Sequence, residues 1–129
     1  MSGALMIGAL AALLTLIWHL IGYKALLGED GAYQQLPNHQ QLALRGWYHG
    51  LTGFHVVVAI TLGATATEYV AISQVYGLVV FLAIIYGLQC IWYAYSVFCY
   101  RQGGRFYATM AGIGPFVATL ALLSASVMY

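Results

Sequence analysis

An all-α integral membrane protein, folded as an up-down bundle of four transmembrane helices, is the fold class that this sequence predicts. Three observations predict it. Of the 129 residues, 63% are hydrophobic and 5% are charged, whereas soluble domains carry about 25% charged residues. The charges are grouped so that residues 1–23, 46–67, 69–100 and 106–129 contain none. Each of these stretches reaches the ~20 residues that cross a hydrocarbon core of about 30 Å at 1.5 Å per residue. Segments such as ALMIGALAALLTLIW are apolar on every side, unlike the alternation of outer-membrane strands. The same composition excludes a disordered chain, because there is too much to bury. It also excludes a basic nucleic-acid binder, since four Lys and Arg stand against three Asp and Glu.

The spans are placed at about 3–26, 45–67, 72–100 and 105–127, in a single domain covering 1–129. The first lacks the positive n-region and the small-residue cleavage site of a secretory signal, so it is expected to remain as a mature helix. Gly28, Gly31 and Pro37 break the chain after it. Asn38 is expected to cap a short polar turn, NHQQLALR, that lies along the membrane surface with Leu36, Leu42 and Leu44 near the headgroups. The 68–71 turn and the RQGGR segment are short, so consecutive helices are expected to pack as antiparallel neighbours.

Orientation follows from the cations. Lys24, Arg45, Arg101 and Arg105 all fall on the 24–45 and 101–105 loops. The positive-inside rule then makes those loops cytoplasmic and both termini external, in a plasma membrane of the bacterial inner type. The four cations either set orientation alone or also meet anionic lipid headgroups. Trp18, Tyr23, Trp47, Tyr48, Trp92, Tyr93, Tyr95 and Tyr100 gather toward the same side, as an interfacial aromatic belt does. Cys90 and Cys99 lie nine residues apart in one helix, a rise of about 13 Å that no disulfide spans.

Small residues and polar contacts, rather than hydrophobicity, hold helices together in lipid. Ala4, Gly8, Ala12 and Thr15 form such a face on the first helix, and His19 falls on it. On the second, Gly53 and Gly63 mark a face that includes Thr52, Ile60, Thr67 and His49, with His55 rotated about 120° away. On the third, Tyr86, Gln89, Tyr93, Ser96 and Tyr100 align at helical spacing. An amide in mid-membrane must face protein, so Gln89 turns this stripe inward. Gly112, Gly114 and Pro115 should kink the fourth helix.

His19 and His49 are then expected at one level, roughly 6–8 Å into the membrane, near Ser96 and Thr109. Two readings follow. They are ligands, holding haem b axially or a metal ion. Alternatively, they are packing residues with local hydrogen bonds. His55 lies deeper, with Thr15 or Gln89 as a partner across helices, and forms interhelical polar contacts with Gln89, Tyr86 and Ser96. His39 is a solvated loop residue, and Glu68 is either wet or a proton or cation access point. Gln89 and Tyr93 line a quinone or lipid pocket, or pack between helices.

There are no paired carboxylates, phosphate loop, HExxH, Cys cluster or G-x-S-x-G, which favours a non-enzymatic role. The leading expectation is an accessory or scaffold subunit docking on larger membrane proteins of an electron-transfer complex, or self-associating. The second is a haem b or quinone binder using His19 and His49. The third is a small transporter or channel acting as an oligomer.

Overall fold

Pro37 precedes the second helix, whereas a glutamate rather than a glycine closes it. The fold comes from a computed structural model that describes residues 3–23, 27–28, 32–99 and 104–128, without the side chain of Arg105. Lys24, Tyr100 and Arg101, and the Arg105 side chain, therefore lie outside the described residues. The helices are α1 (Gly3–Ile21), α2 (Asn38–Ala66), α3 (Ile72–Cys99) and α4 (Gly104–Met128), with a 3₁₀ turn at Ala32–Gln35. No strand occurs among the described residues. All four helices are long and apolar enough to cross a membrane.

One boundary differs from expectation. The first helix runs to Ile21, and beyond Gly22, whose amide bonds to the Trp18 carbonyl at 3.1 Å, Tyr23 and Leu27 are again helical. The second begins at Asn38, so NHQQLALR forms its opening turns instead of a separate surface turn. Pro37 occupies the cap position, with no side-chain cap bond, and its carbonyl accepts from the Gln40 and Gln41 amides at 2.9 and 3.0 Å. Gln, Leu, Ala and Arg all favour helix, so nothing after Pro37 interrupts it. Arg45 thus lies inside α2, its guanidinium 5.6 Å from the centroid of the buried Tyr33 ring. That is cation–π distance. At the other end, Glu68 takes a left-handed φ of 68°, with the Tyr69 amide on the Ala64 carbonyl at 2.9 Å. This closes α2 as a Schellman turn, with glutamate where glycine is usual.

α1 and α4 form an antiparallel central pair. A Cβ on Gly8 would lie 3.1 Å from Leu122, and one on Gly114 would strike Thr15. Ala12, Ala118 and Ala125 are fully buried beside them. α2 packs on the other side of α1, and α3 on the other side of α4. The short turn after α2 does not make α2 and α3 a tight pair, because their backbones make no comparable approach. A turn ties only two helix ends. Close approach along the length needs small residues on both surfaces, and α1 and α4 hold them.

The glycines of α2 correct a second expectation. A Cβ added at Gly46, Gly50, Gly53 or Gly63 meets nothing within 4 Å. The buried face of α2 carries Tyr48, His55, Val58, Leu62 and Thr65 instead. Gly53→Ala is therefore expected to be neutral or to stabilise by about 0.5–1 kcal/mol through helix propensity, measured by thermal unfolding in detergent.

The larger of two core clusters fills one half of the bundle, and a smaller one joins Leu27, Tyr33 and Tyr48. Leu5, Leu62, Val79, Leu82 and Leu122, each 1% exposed or less, fill the half nearest the 67–71 turn. α4 runs unbroken through Pro115, which leaves the Ala111 carbonyl without its helical amide donor. Hydroxyl groups mostly bond within their own helices: Thr15 to Ala11, Thr65 to Thr61, Ser96 to Trp92 and Thr119 to Pro115, at 2.7–2.9 Å. Such back-bonding satisfies short polar side chains locally. The longer polar side chains remain to meet one another in the other half.

Candidate functional site

His19, in the last turn of α1, is clamped to α2. Its Nε2 lies 2.8 Å from Thr52 Oγ1 and 3.2 Å from the Tyr48 carbonyl oxygen. The Thr52 hydroxyl donates to that same carbonyl at 3.0 Å, so the network assigns the imidazole proton to Nε2. The Tyr48 ring stacks on the imidazole, centroids 4.1 Å apart and planes 17° from parallel. Its hydroxyl donates to the His19 carbonyl at 2.7 Å. Thr52→Val should cost about 0.5–1.5 kcal/mol by removing one of these bonds. Thermal unfolding checks it, and Thr52→Ser should restore most of the loss.

One turn further along α2, His55 is 4% exposed. Its ring centroid is 5.7 Å from that of His19 and 6.3 Å from that of Tyr86. Its Nδ1 is buried and has no hydrogen-bond partner, as are Trp18 Nε1 and the Tyr86 hydroxyl. A buried polar atom without a partner costs roughly 1–3 kcal/mol in proteins. Three in one region form a cluster that calls for an explanation.

Beside them is a cavity of about 370 Å³. It occupies the gap between α2 and α3 that their loose approach leaves, opposite the packed half of the core. α1 supplies Thr15, Trp18 and His19; α2 supplies Leu51 and His55. Leu88, Gln89, Trp92 and Tyr93 come from α3, and Tyr107 and Ala111 from α4. Trp18 and Tyr107 are in ring contact at 5.6 Å. Among the described residues, no Asp, Glu, Lys or Arg lines the space. Its walls combine aromatic faces with neutral hydrogen-bonding groups, which is the character of a small-molecule site.

His19, Gln89 and Tyr93 are brought together here. His49 is not: it is exposed on α2, its ring edge-on to Tyr48 at 5.7 Å. The structure pairs His19 with His55 instead. His49 and His55 are six positions apart on α2, so the buried face defined by Tyr48, His55 and Leu62 turns His49 outward. With Nε2 of His19 engaged and His49 outside, the expected pair of haem ligands is not assembled. Among the described residues, no group of three His, Cys, Asp or Glu side chains is placed to hold a metal ion.

The interhelical contacts expected of the polar side chains also differ. Ser96 is buried, but its hydroxyl bonds to Trp92 on its own helix. Thr15, expected as a partner of His55, bonds to Ala11. Tyr86 reaches the His55 ring but leaves its hydroxyl unpartnered. His39 is exposed, at the start of α2 rather than in a loop. Trp18 was legible only as a belt residue. The seven-residue spacing Tyr48–His55–Leu62 is the signal that marks the true inner face of α2.

Fold and site together define an all-helical protein with four helices long enough to cross a membrane and an aromatic-walled cavity between them. Comparison with protein-family models, with curated proteins and with solved structures finds no match.

Proposed function

We propose that this chain is an integral membrane protein that binds a neutral, membrane-soluble small molecule in the cavity between α2 and α3. In this reading the four helices are transmembrane spans of an up-down bundle. The 24–45 and 101–105 loops are cytoplasmic, and both termini are external. The observation that carries the binding reading is the cavity itself, about 370 Å³, whose walls bring His19, His55 and Gln89 together with Trp18, Trp92 and Tyr93. Among the described residues the wall carries no charged side chain, which favours an uncharged ligand. The test is mass spectrometry of small molecules released from protein purified out of native membranes. One compound near stoichiometric amount, depleted in His55→Leu, is the expected result. Protein free of any such compound, and unable to take one up from a lipid extract, would refute the reading.

An accessory-subunit role is the second reading. It is favoured by the outward glycines Gly46 and Gly50, which flank a groove beside Trp47 and Phe54. Small residues of this kind admit a neighbouring transmembrane helix. Co-purification of a larger membrane protein, lost in Gly50→Leu, is the corresponding test.

A further inference from the structure

Two polar atoms are sealed inside the bundle on facing helices. The Tyr86 hydroxyl on α3 and Nδ1 of His55 on α2 have essentially no accessible surface and no hydrogen-bond partner among the described residues. Neither a molecule in the cavity nor a water reaches them in this arrangement, so their partner has to come from the protein. Each suits the other. Their rings are already neighbours, with centroids 6.3 Å apart and planes 29° from parallel. A phenol hydroxyl both donates and accepts, so it matches Nδ1 in either tautomer of the imidazole. Buried polar atoms left unpaired are costly, and a relative shift of α2 and α3 is the movement that would pair these two. The helices are arranged to allow it. Near the 67–71 turn they share one core, in which Val58 and Leu62 of α2 cluster with Val79, Leu82 and Ala83 of α3. Tyr86 belongs to that core and His55 to the cavity wall, so the pair sits where packing gives way to open space. Beyond it the helices diverge, and Leu51 of α2 faces the cavity along with Leu88 and Trp92 of α3. Leu88 and Trp92 are both more than half exposed, so this part of α3 is not held by a neighbour.

We propose that α2 and α3 form a lateral clamp with two states. In the open state, that of this structure, the helices are splayed and the cavity is wide. In the closed state α3 pivots toward α2 about the 67–71 turn, the Tyr86 hydroxyl and Nδ1 of His55 bond to each other, and the mouth between Leu51 and Leu88 narrows. Closure presses Leu88 and Trp92 toward Leu51, which opposes the gain of the bond and leaves the closed state the minor one. Such a pair of states coexists in the chain alone. The clamp therefore goes beyond the binding reading and does not depend on it.

The test uses the full chain in lipid nanodiscs, with Cys90→Ala and Cys99→Ala, and spin labels at Trp47→Cys on α2 and Ile91→Cys on α3. Both labelled positions are exposed and lie outside the cavity wall. Pulsed electron–electron resonance reads the distance between them. Two distances are expected, the shorter one minor. Tyr86→Phe keeps the ring and removes the hydroxyl, and should lower the ratio of closed to open about fivefold, the loss of one neutral hydrogen bond. His55→Leu should act in the same direction, and the double variant should go no further, since both changes remove one bond. Helical circular dichroism verifies that the variants fold. A single distance in the parent chain, or two whose ratio Tyr86→Phe leaves unchanged, would overturn the clamp. Additive effects of the two substitutions would also overturn it, because the two atoms would then act separately. Both distances in a chain that retains and takes up no small molecule would support the clamp and overturn the binding reading alone.

Discussion

Gly114→Leu is expected to lower stability by about 3 kcal/mol or more, the upper end for overpacking a filled interface. Even a single Cβ at this position would strike the Thr15 hydroxyl and stand 3.3 Å from the Ala11 carbonyl oxygen. Thr15 is not free to swing away at no cost, because its Oγ1 bonds that same carbonyl at 2.9 Å. A leucine must push α1 and α4 apart, and this pair is the axis on which α2 and α3 each depend. The expected result is a large fall in the thermal unfolding temperature in detergent and loss of a monodisperse particle. Gly53→Ala serves as the control, since both changes enlarge a glycine in a span but only one faces a neighbour. Equal behaviour of Gly53 and Gly114 variants would mean that α1 and α4 do not pack as described.

His55→Leu is expected to act in two opposite directions. Without ligand, it should stabilise the bundle by about 1–2 kcal/mol, because an apolar side chain of similar size replaces a buried ring nitrogen that lacks a partner. With ligand, the stabilisation that binding supplies should disappear. An unfolding series with and without added native lipid extract reads both effects. A residue kept for its ring packing would give the reverse of the first effect, since leucine loses the ring contacts with Phe54, His19 and Tyr86. Natural binding sites commonly sacrifice stability in this way.

Much of the architecture was legible from residue type alone. Charge-free stretches of sufficient length predict the helices, and the ends of α3 and α4 agree with expectation to within a residue. The small-residue face of α1 was also legible: Gly8 meets α4 and Ala12 is fully buried. The identical argument failed on α2, where glycines lie outward and the inner face carries larger side chains. Glycine permits close approach but does not compel it. Hydrogen-bond partners were less legible still, because Thr and Ser hydroxyls are satisfied by the preceding turn of their own helix.

Sequence by itself determined that this chain forms four long apolar helices and where its few cations fall along them. Those properties depend on local composition, propensity and length, which need no knowledge of neighbours. Only the tertiary structure decided that α1 and α4 are the central pair, that α2 and α3 diverge, and that His55 rather than His49 joins His19 beside a cavity. These outcomes turn on the relative rotation of packed helices. A rotation of one residue, about 100°, exchanges which side chains are buried while leaving every local property of the helix unchanged.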